Sequence, residues 1–226
     1  MKLTYYGHAC FAVEIGGKSL LFDPFITPNE LAKSVDLDAI AADLILLTHG
    51  HFDHVTDAVR IAQRTGATVI APFEVAQWVG NQGVANVQPM NPGGGRALEF
   101  GRVKCVNAVH SSSLPDGSYG GQPGGFVIES GEGSFYYSGD TALTLDMKLI
   151  AEEFSLRFAV MPVGDNFTMG AADAAKAAGF VGCDDVVGVH FDTWPPIAID
   201  HEAAKAAFSK AGRRLHLLKI GGSIDF

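Results

Sequence analysis

Three of the chain's eight histidines fall within six residues, in the run Thr48-His49-Gly50-His51-Phe52-Asp53-His54. Imidazole is costly to bury unpaired, and neither a helix nor a strand needs it at that density. Such a cluster is either a polar surface loop or a set of ring nitrogens gathered on a metal ion. In an extended or turning loop residues i and i+2 face the same side, so His49 and His51 can grip one ion. Asp53 and His54 follow at the start of the next helix and can face a second.

More candidates stand at the ends of strands. An apolar run, Leu44–Leu47, leads into the cluster. VKCVNAVHSS leads into His110, SFYYSGDT into Asp140 and DVVGVHFDT into His190. Loops at one sheet edge carry sites while the sheets hold them rigid. Together His49, His51, Asp53, His54, His110, Asp140 and His190 make seven candidate ligands. That is more than one tetrahedral zinc uses, and it suits two ions sharing a carboxylate. Taken singly, Asp53 reads as a helix N-cap, His110 as a hydrogen-bonded loop histidine and Asp140 as a turn residue after Gly139. The joint pattern is what points to metal.

The elements that must position these residues can be read coarsely. Leu3–Tyr6, Cys10–Ile15 and Ser19–Asp23 read as strands, with Gly16-Gly17 as a hairpin turn. Val55, Ala58, Val59 and Ala62 fall at i, i+3, i+4 and i+7 and predict one helix face. A strand over Thr68–Ala71 and a helix over about Glu74–Val79 follow. Residues 86–138 read as β, with strands at Arg102–Val109, Gly125–Ser130 and Ser134–Ser138 and glycine-rich turns at 91–95 and 120–125. The last part alternates: helix 144–153, strand Phe158–Val163, helix 171–179, strand Val186–Val189, helix 201–210 with Asp200 as N-cap, and strand 215–219. Two sheets packed face to face, each covered outside by helices, satisfy this order. A single doubly wound sheet would need regular alternation from the start.

Composition sets the wider bounds. The chain has 226 residues, 47% of them hydrophobic, which suits one domain over 1–226 with a real core. Its formal charge of −9 disfavours a nucleic-acid partner. No apolar run reaches the length of a membrane span, and no signal-peptide stretch opens the chain, so a soluble cytoplasmic protein is expected. Cys10, Cys105 and Cys183 are odd in number and widely spaced, and read as reduced core residues. A homo-oligomer stays open: an exposed apolar edge could pair chains, but periodicity does not reveal one.

These residues resemble the metallo-β-lactamase superfamily, whose signature is H-x-H-x-D-H followed by a later His, Asp and His. More narrowly, YYGHACFAVE, THGHFDHVTDA, HSSS, GDTALTLDMKLI, GDNFTMG and HFDTWPP look like the YtkL-like group of metal-dependent hydrolases, related to the ascorbate-6-phosphate lactonases. The resemblance implies an α/β fold, a four-layer αββα sandwich with mixed sheets. It implies that His49, His51 and His110 hold one divalent ion, that Asp53, His54 and His190 hold another, and that Asp140 bridges. One departure is local: relatives often read His-Tyr-Asn-Thr-Trp-Pro where this chain has His190-Phe191-Asp192-Thr193-Trp194-Pro195.

Two ions, zinc by default with manganese, nickel or iron as alternatives, would lower the pKa of water from 15.7 to about 7. A bridging hydroxide could then attack a small, anionic ester, lactone or phosphodiester. Rivals are an RNA-processing nuclease, a redox di-iron centre and a non-catalytic metal-binding scaffold. The nuclease would need an extra substrate-gripping arm. The di-iron relatives carry Glu at the position of His51. Asp53 and His8 are the candidate catalytic side chains. For His8 a proton donor or substrate contact stands beside a hydrogen-bonded turn histidine. Ser111, Ser112, Asp165, Asn166 and Thr168 are expected to line the pocket or support ligands, and His201 and His216 to be structural.

Overall fold

A computed structural model describes residues 1–226. The chain opens with three antiparallel strands, β1 (Lys2–Gly7), β2 (Cys10–Ile15) and β3 (Lys18–Phe22). The β2–β3 turn uses Gly16 and Gly17 at φ 57° and 73°, the left-handed pair that a tight hairpin requires. Then come β4 (Leu44–Leu46), helices α1 (Phe52–Val55) and α2 (Ala58–Thr65), β5 (Thr68–Ala71), helix α3 (Phe73–Asn81) and β6 (Val87–Pro89). β3, β4, β5 and β6 run parallel. The all-apolar Leu-Ile-Leu of β4 suits a strand covered on both faces.

The second half builds another sheet from β7 (Gly95–Leu98), β8 (Gly101–Asn107), β9 (Gly124–Ser130), β10 (Gly133–Tyr137), β11 (Leu156–Pro162), β12 (Asp185–Val189) and β13 (Arg214–His216). Helices α4 (Met147–Glu153), α5 (Ala171–Phe180) and α6 (His201–Lys210) fall between its later strands. The last strand, β14 (Ser223–Asp225), returns to the first sheet and pairs with β1, Leu3 opposite Ile224. Each sheet has seven strands, antiparallel on one side and parallel on the other, so the expected mixed two-sheet sandwich is what forms.

Aromatic rings fill the space between the sheets. Phe11 stacks on Phe22 at 4.6 Å, and Tyr137 from the other sheet meets Phe11 edge-on at 4.9 Å. Burying each such ring stabilises the fold by about 1.5–3 kcal/mol. Outside the first sheet, Ile61, Ala62, Val75 and Val79 of α2 and α3 cover it. No helix is long and apolar enough to cross a membrane.

Several elements differ from the sequence reading. The helix expected from Val55 breaks after the first turn, and Val59 is only half-buried while Ile61 is fully buried. Asp57 sits at the break. Its Oδ2 accepts the N–H groups of Ile26 and Thr27 at 2.7 and 2.8 Å. The strand expected at 215–219 ends at His216. Gly95, expected in a turn, opens β7. Asp200 does cap α6, accepting from the backbones of Glu202 and Ala203.

Candidate metal centre

The strand ends meet at one edge. β4 delivers His49, His51, Asp53 and His54, and the segments after β8, β10 and β12 deliver His110, Asp140 and His190. Gly139 makes the approach of Asp140 possible. Its φ is 60°, and a Cβ there would lie 2.8 Å from both Gly124 O and Thr48 Cβ. Thr141 ties the neighbouring loop down, its Oγ1 accepting from Val109 N at 3.0 Å. Ser112 Oγ accepts from Gly50 N at 3.1 Å and donates to Gly120 O at 2.9 Å, fixing the turn between His49 and His51.

The donor atoms form three groups that share members: His49, His51 and His110; His8, Asp53, His54 and His190; and His49, His54 and Asp140. His49 Nε2 lies 2.9 Å from His51 Nδ1. Asp140 Oδ2 lies 3.1 Å from His190 Nε2, 3.3 Å from His54 Nε2 and 3.6 Å from His110 Nε2.

A buried residue that the sequence reading passed over organises the set. Asp23, at the end of β3, is 0% exposed. Its Oδ1 accepts from Thr48 N at 2.8 Å. Its Oδ2 accepts from the hydroxyls of Thr48 at 2.7 Å and Tyr137 at 2.6 Å, and from His54 Nδ1 at 2.9 Å. A carboxylate only accepts, so His54 carries its proton on Nδ1. Because Thr48 gives its proton to Asp23, its Oγ1 accepts from His49 Nδ1 at 3.0 Å. Both rings therefore carry a proton on Nδ1 and turn Nε2 to the centre.

Electrostatics and orphaned atoms both fit a cation here. Burial lowers the pKa of His49, with His54 adding to it, and burial also lowers those of His51 and His110, so these rings are neutral. Burial also lowers His54 and His190, but Asp140 above all outweighs it and raises both, His190 to about 9. Burial raises the Asp53 and Asp140 carboxyls, yet the neighbouring imidazoles hold both well below the usual range. His54 Nε2 is buried with no hydrogen-bond partner. Imidazole nitrogens and ionised carboxylates converging on an unsatisfied centre are the donor set that zinc-type ions take, and an ion there would displace the protons that Asp140 holds on His54 and His190. His190 Nδ1, on the side of the ring away from Asp140, is likewise buried with no hydrogen-bond partner.

His8 is 1% exposed and sits behind the site. Its Nε2 lies 2.9 Å from Asp53 Oδ2 and its Nδ1 2.8 Å from Thr193 Oγ1. Burial lowers its pKa to about 4 against the hydrogen bond to Asp53, so the ring is neutral and donates from Nε2 to the carboxylate. It neither faces the cavity nor serves as a mere turn residue, although its backbone is left-handed at φ 54°. Asp53 lines the cavity.

The other expected residues divide. Ser111 Oγ is 3.4 Å from His51 Nε2, and Ser111 and Asn166 line the cavity; Ser112, Asp165 and Thr168 do not. Asp192 turns away and braces its loop, Oδ1 to Ile199 N at 3.0 Å and Oδ2 to His201 Nε2 at 2.6 Å. The local departure at that loop thus bears on its backbone and not on the cavity wall. His216 pairs with Asp185 at 2.8 Å. All three cysteines are buried and free. No lysine or arginine lines the cavity, which the expected anionic substrate would lead one to look for.

Known proteins similar to this chain are metal-dependent hydrolases. The family described as beta-lactamase superfamily domain matches residues 2–190, ending on His190. A UPF0173 metal-dependent hydrolase of Christiangramia forsetii is 54% identical over 226 residues, covering 100% of both chains. Another, from Methylacidiphilum infernorum, is 51% identical over 224 residues and covers 99% of each. Among solved structures, a metallo hydrolase from the hyperthermophilic archaeon Ignicoccus hospitalis superposes with a TM-score of 0.89 at 32% identity, covering 100% of this chain and 98% of that one.

Proposed function

Because the chain belongs to the UPF0173 metal-dependent hydrolases of the beta-lactamase superfamily, we propose that it hydrolyses a small-molecule ester, lactone or phosphodiester at a dinuclear centre. The position of Asp140 carries this reading. One oxygen, Oδ2, reaches His110 at 3.6 Å in one imidazole group and His190 at 3.1 Å in the other. His49, His51 and His110 would hold one ion, Asp53, His54 and His190 the second, and Asp140 would serve both. Zinc is the ion proposed, since five imidazoles and two carboxylates suit it. When bound, such ions supply Lewis acidity, acidify a coordinated water and offset charge developing on the substrate.

The chain's own residues orient the reactants and move the proton. Asp53, on the cavity wall, is placed to accept the proton of the attacking water and return it to the leaving oxygen. His8 holds Asp53 Oδ2 at 2.9 Å and so fixes which way that carboxylate faces. Ser111 and Asn166 offer neutral hydrogen bonds at the wall. A charge of −9 and a wall without lysine or arginine support a small-molecule partner over a nucleic acid. Three unpaired buried cysteines suit a reducing, cytosolic setting.

The test is metal stoichiometry with turnover. Zinc-reconstituted protein should bind two ions per chain and hydrolyse at least one ester, lactone or phosphodiester. Asp140→Asn should lower both occupancy and turnover. Full turnover in protein stripped of metal would overturn the proposal.

A further inference from the structure

The cavity over the centre has a volume of about 960 Å³, room for a molecule well beyond the scissile group. The chain has 16 lysines and arginines, and none contributes to its wall. Beyond the proposed ligands, the polar side chains there are Ser111, Ser113 and Asn166, all neutral. Proteins recognise phosphate and carboxylate groups with arginine or lysine, through charge-assisted and often bidentate bonds. In this cavity the only positive charge would be that of the ions at the floor, which the scissile group itself occupies. A further anionic group would find no cationic partner on the wall and would lie near Asp53 and Asp140.

Aromatic surface takes the place of charge. Phe52 is 52% exposed and Phe167 56% exposed, and Trp194 stands with them at the cavity. The Phe52 and Trp194 rings are 6.1 Å apart, and both rest on buried Phe25, at 5.6 and 5.9 Å. His8 meets Trp194 edge-on at 4.9 Å, so this wall is backed by the same imidazole that holds Asp53. Phe167 rises from a loop in which Asp165 and Asn166 are both left-handed, at φ 61° and 57°. Asn166 N donates to Asp165 Oδ1 at 2.8 Å, and Met169 N hooks the loop to Thr141 O at 3.1 Å, next to Asp140. The loop is therefore held in place with Phe167 on the cavity wall, where a bound apolar group would cover its exposed ring.

We infer that the substrate is an uncharged carboxylic ester or lactone whose apolar group lies against Phe52, Phe167 and Trp194. The inference rests on the hydrolase reading and narrows it. In the reaction the oxygen of water forms a new bond to the carbonyl carbon, the ester C–O bond breaks, and the proton from water goes to the leaving oxygen. The products are a carboxylic acid and an alcohol, with no change of oxidation state.

Zinc-loaded protein would be given phenyl butyrate, its carboxylated counterpart monophenyl succinate, and methyl phenyl phosphate. Binding of the neutral, non-hydrolysed phenylacetamide would be followed by saturation-transfer NMR. Phenyl butyrate should exceed both anions in kcat/KM by at least roughly tenfold, and Phe167→Ala and Trp194→Ala should each weaken phenylacetamide binding and raise the KM for phenyl butyrate roughly tenfold. A preference for either anion, or phenylacetamide binding unchanged in both variants, overturns the inference. If no ester turns over but phenylacetamide binds and loses affinity in the variants, the hydrolase reading fails while the ligand class stands.

Discussion

Asp23 Oδ2 lies 2.9 Å from His54 Nδ1, and both side chains are fully buried. The same oxygen takes the Thr48 hydroxyl that in turn accepts from His49 Nδ1, so one carboxylate sets the proton position on a histidine of each proposed ion site. Partners of this kind raise ligand basicity, and their loss costs about 10–100-fold in metal affinity. Asp23→Asn keeps the shape but replaces one accepting oxygen with a donor. Chelator competition should show weaker metal retention by roughly that factor. Unchanged retention would remove Asp23 from the metal-holding machinery.

His8 acts through Asp53. Its Nε2 reaches the carboxylate at 2.9 Å while Thr193 Oγ1 holds its other nitrogen at 2.8 Å. A residue that only positions a catalytic group should alter kcat more than KM. His8→Ala is expected to lower kcat by about 10²-fold, the scale of a misplaced proton-transfer group, with KM little changed. Thr193→Val should give a smaller loss of the same kind. A rise in KM with kcat unchanged would make His8 a substrate contact instead.

Away from the site, Asp185 bridges β12 and β13. Arg214, first by its hydrogen bond to the carboxylate, and then His216 pull the Asp185 pKa from 3.8 down to about 2. The folded state thus holds its proton less tightly than the unfolded chain does. The stabilisation is fully present above the unfolded value and disappears as pH falls through about 2. Melting curves from pH 5 to pH 2 should show wild type converging on Asp185→Asn at the acid end. A gap between the two that stays constant over this range would rule the linkage out.

How far these features could be read from sequence depended on how local their causes are. His49, His51, Asp53 and His54 lie within one short run, and His110, Asp140 and His190 each follow a strand, so spacing and strand ends together made all seven candidates. Asp23 lies 25 residues before Thr48 and 31 before His54, and no spacing links it to them. A signal was present all the same: an aspartate ends the apolar Leu20-Leu21-Phe22, where a buried charge requires partners. The break between α1 and α2 depends on Asp57 meeting Ile26 and Thr27, and β14 forms only because β1 offers an edge from the other end of the chain. Local propensity carries neither contact.

Metal removal should destabilise the fold as well as stop turnover. The proposed ligands come from four separate strand ends, and His49, Asp53, His54, Asp140 and His190 are all buried. Without ions the carboxylates are left to the imidazoles, and His54 Nε2 has no hydrogen-bond partner. An ion that binds only the folded chain stabilises it by about 4 kcal/mol when its free concentration is about a thousand times Kd. For a chain of this length that corresponds to a Tm shift on the order of 10 °C. Scanning calorimetry before and after chelation should show a loss of that size, restored by adding zinc. His201→Gln, whose ring pairs with Asp192 outside the cavity, should keep the full shift. His110→Ala should lose part of it, because Asp140 would then serve an ion site with one imidazole fewer. A Tm indifferent to chelation in wild type would mean that the clustered imidazoles are held by the protein alone.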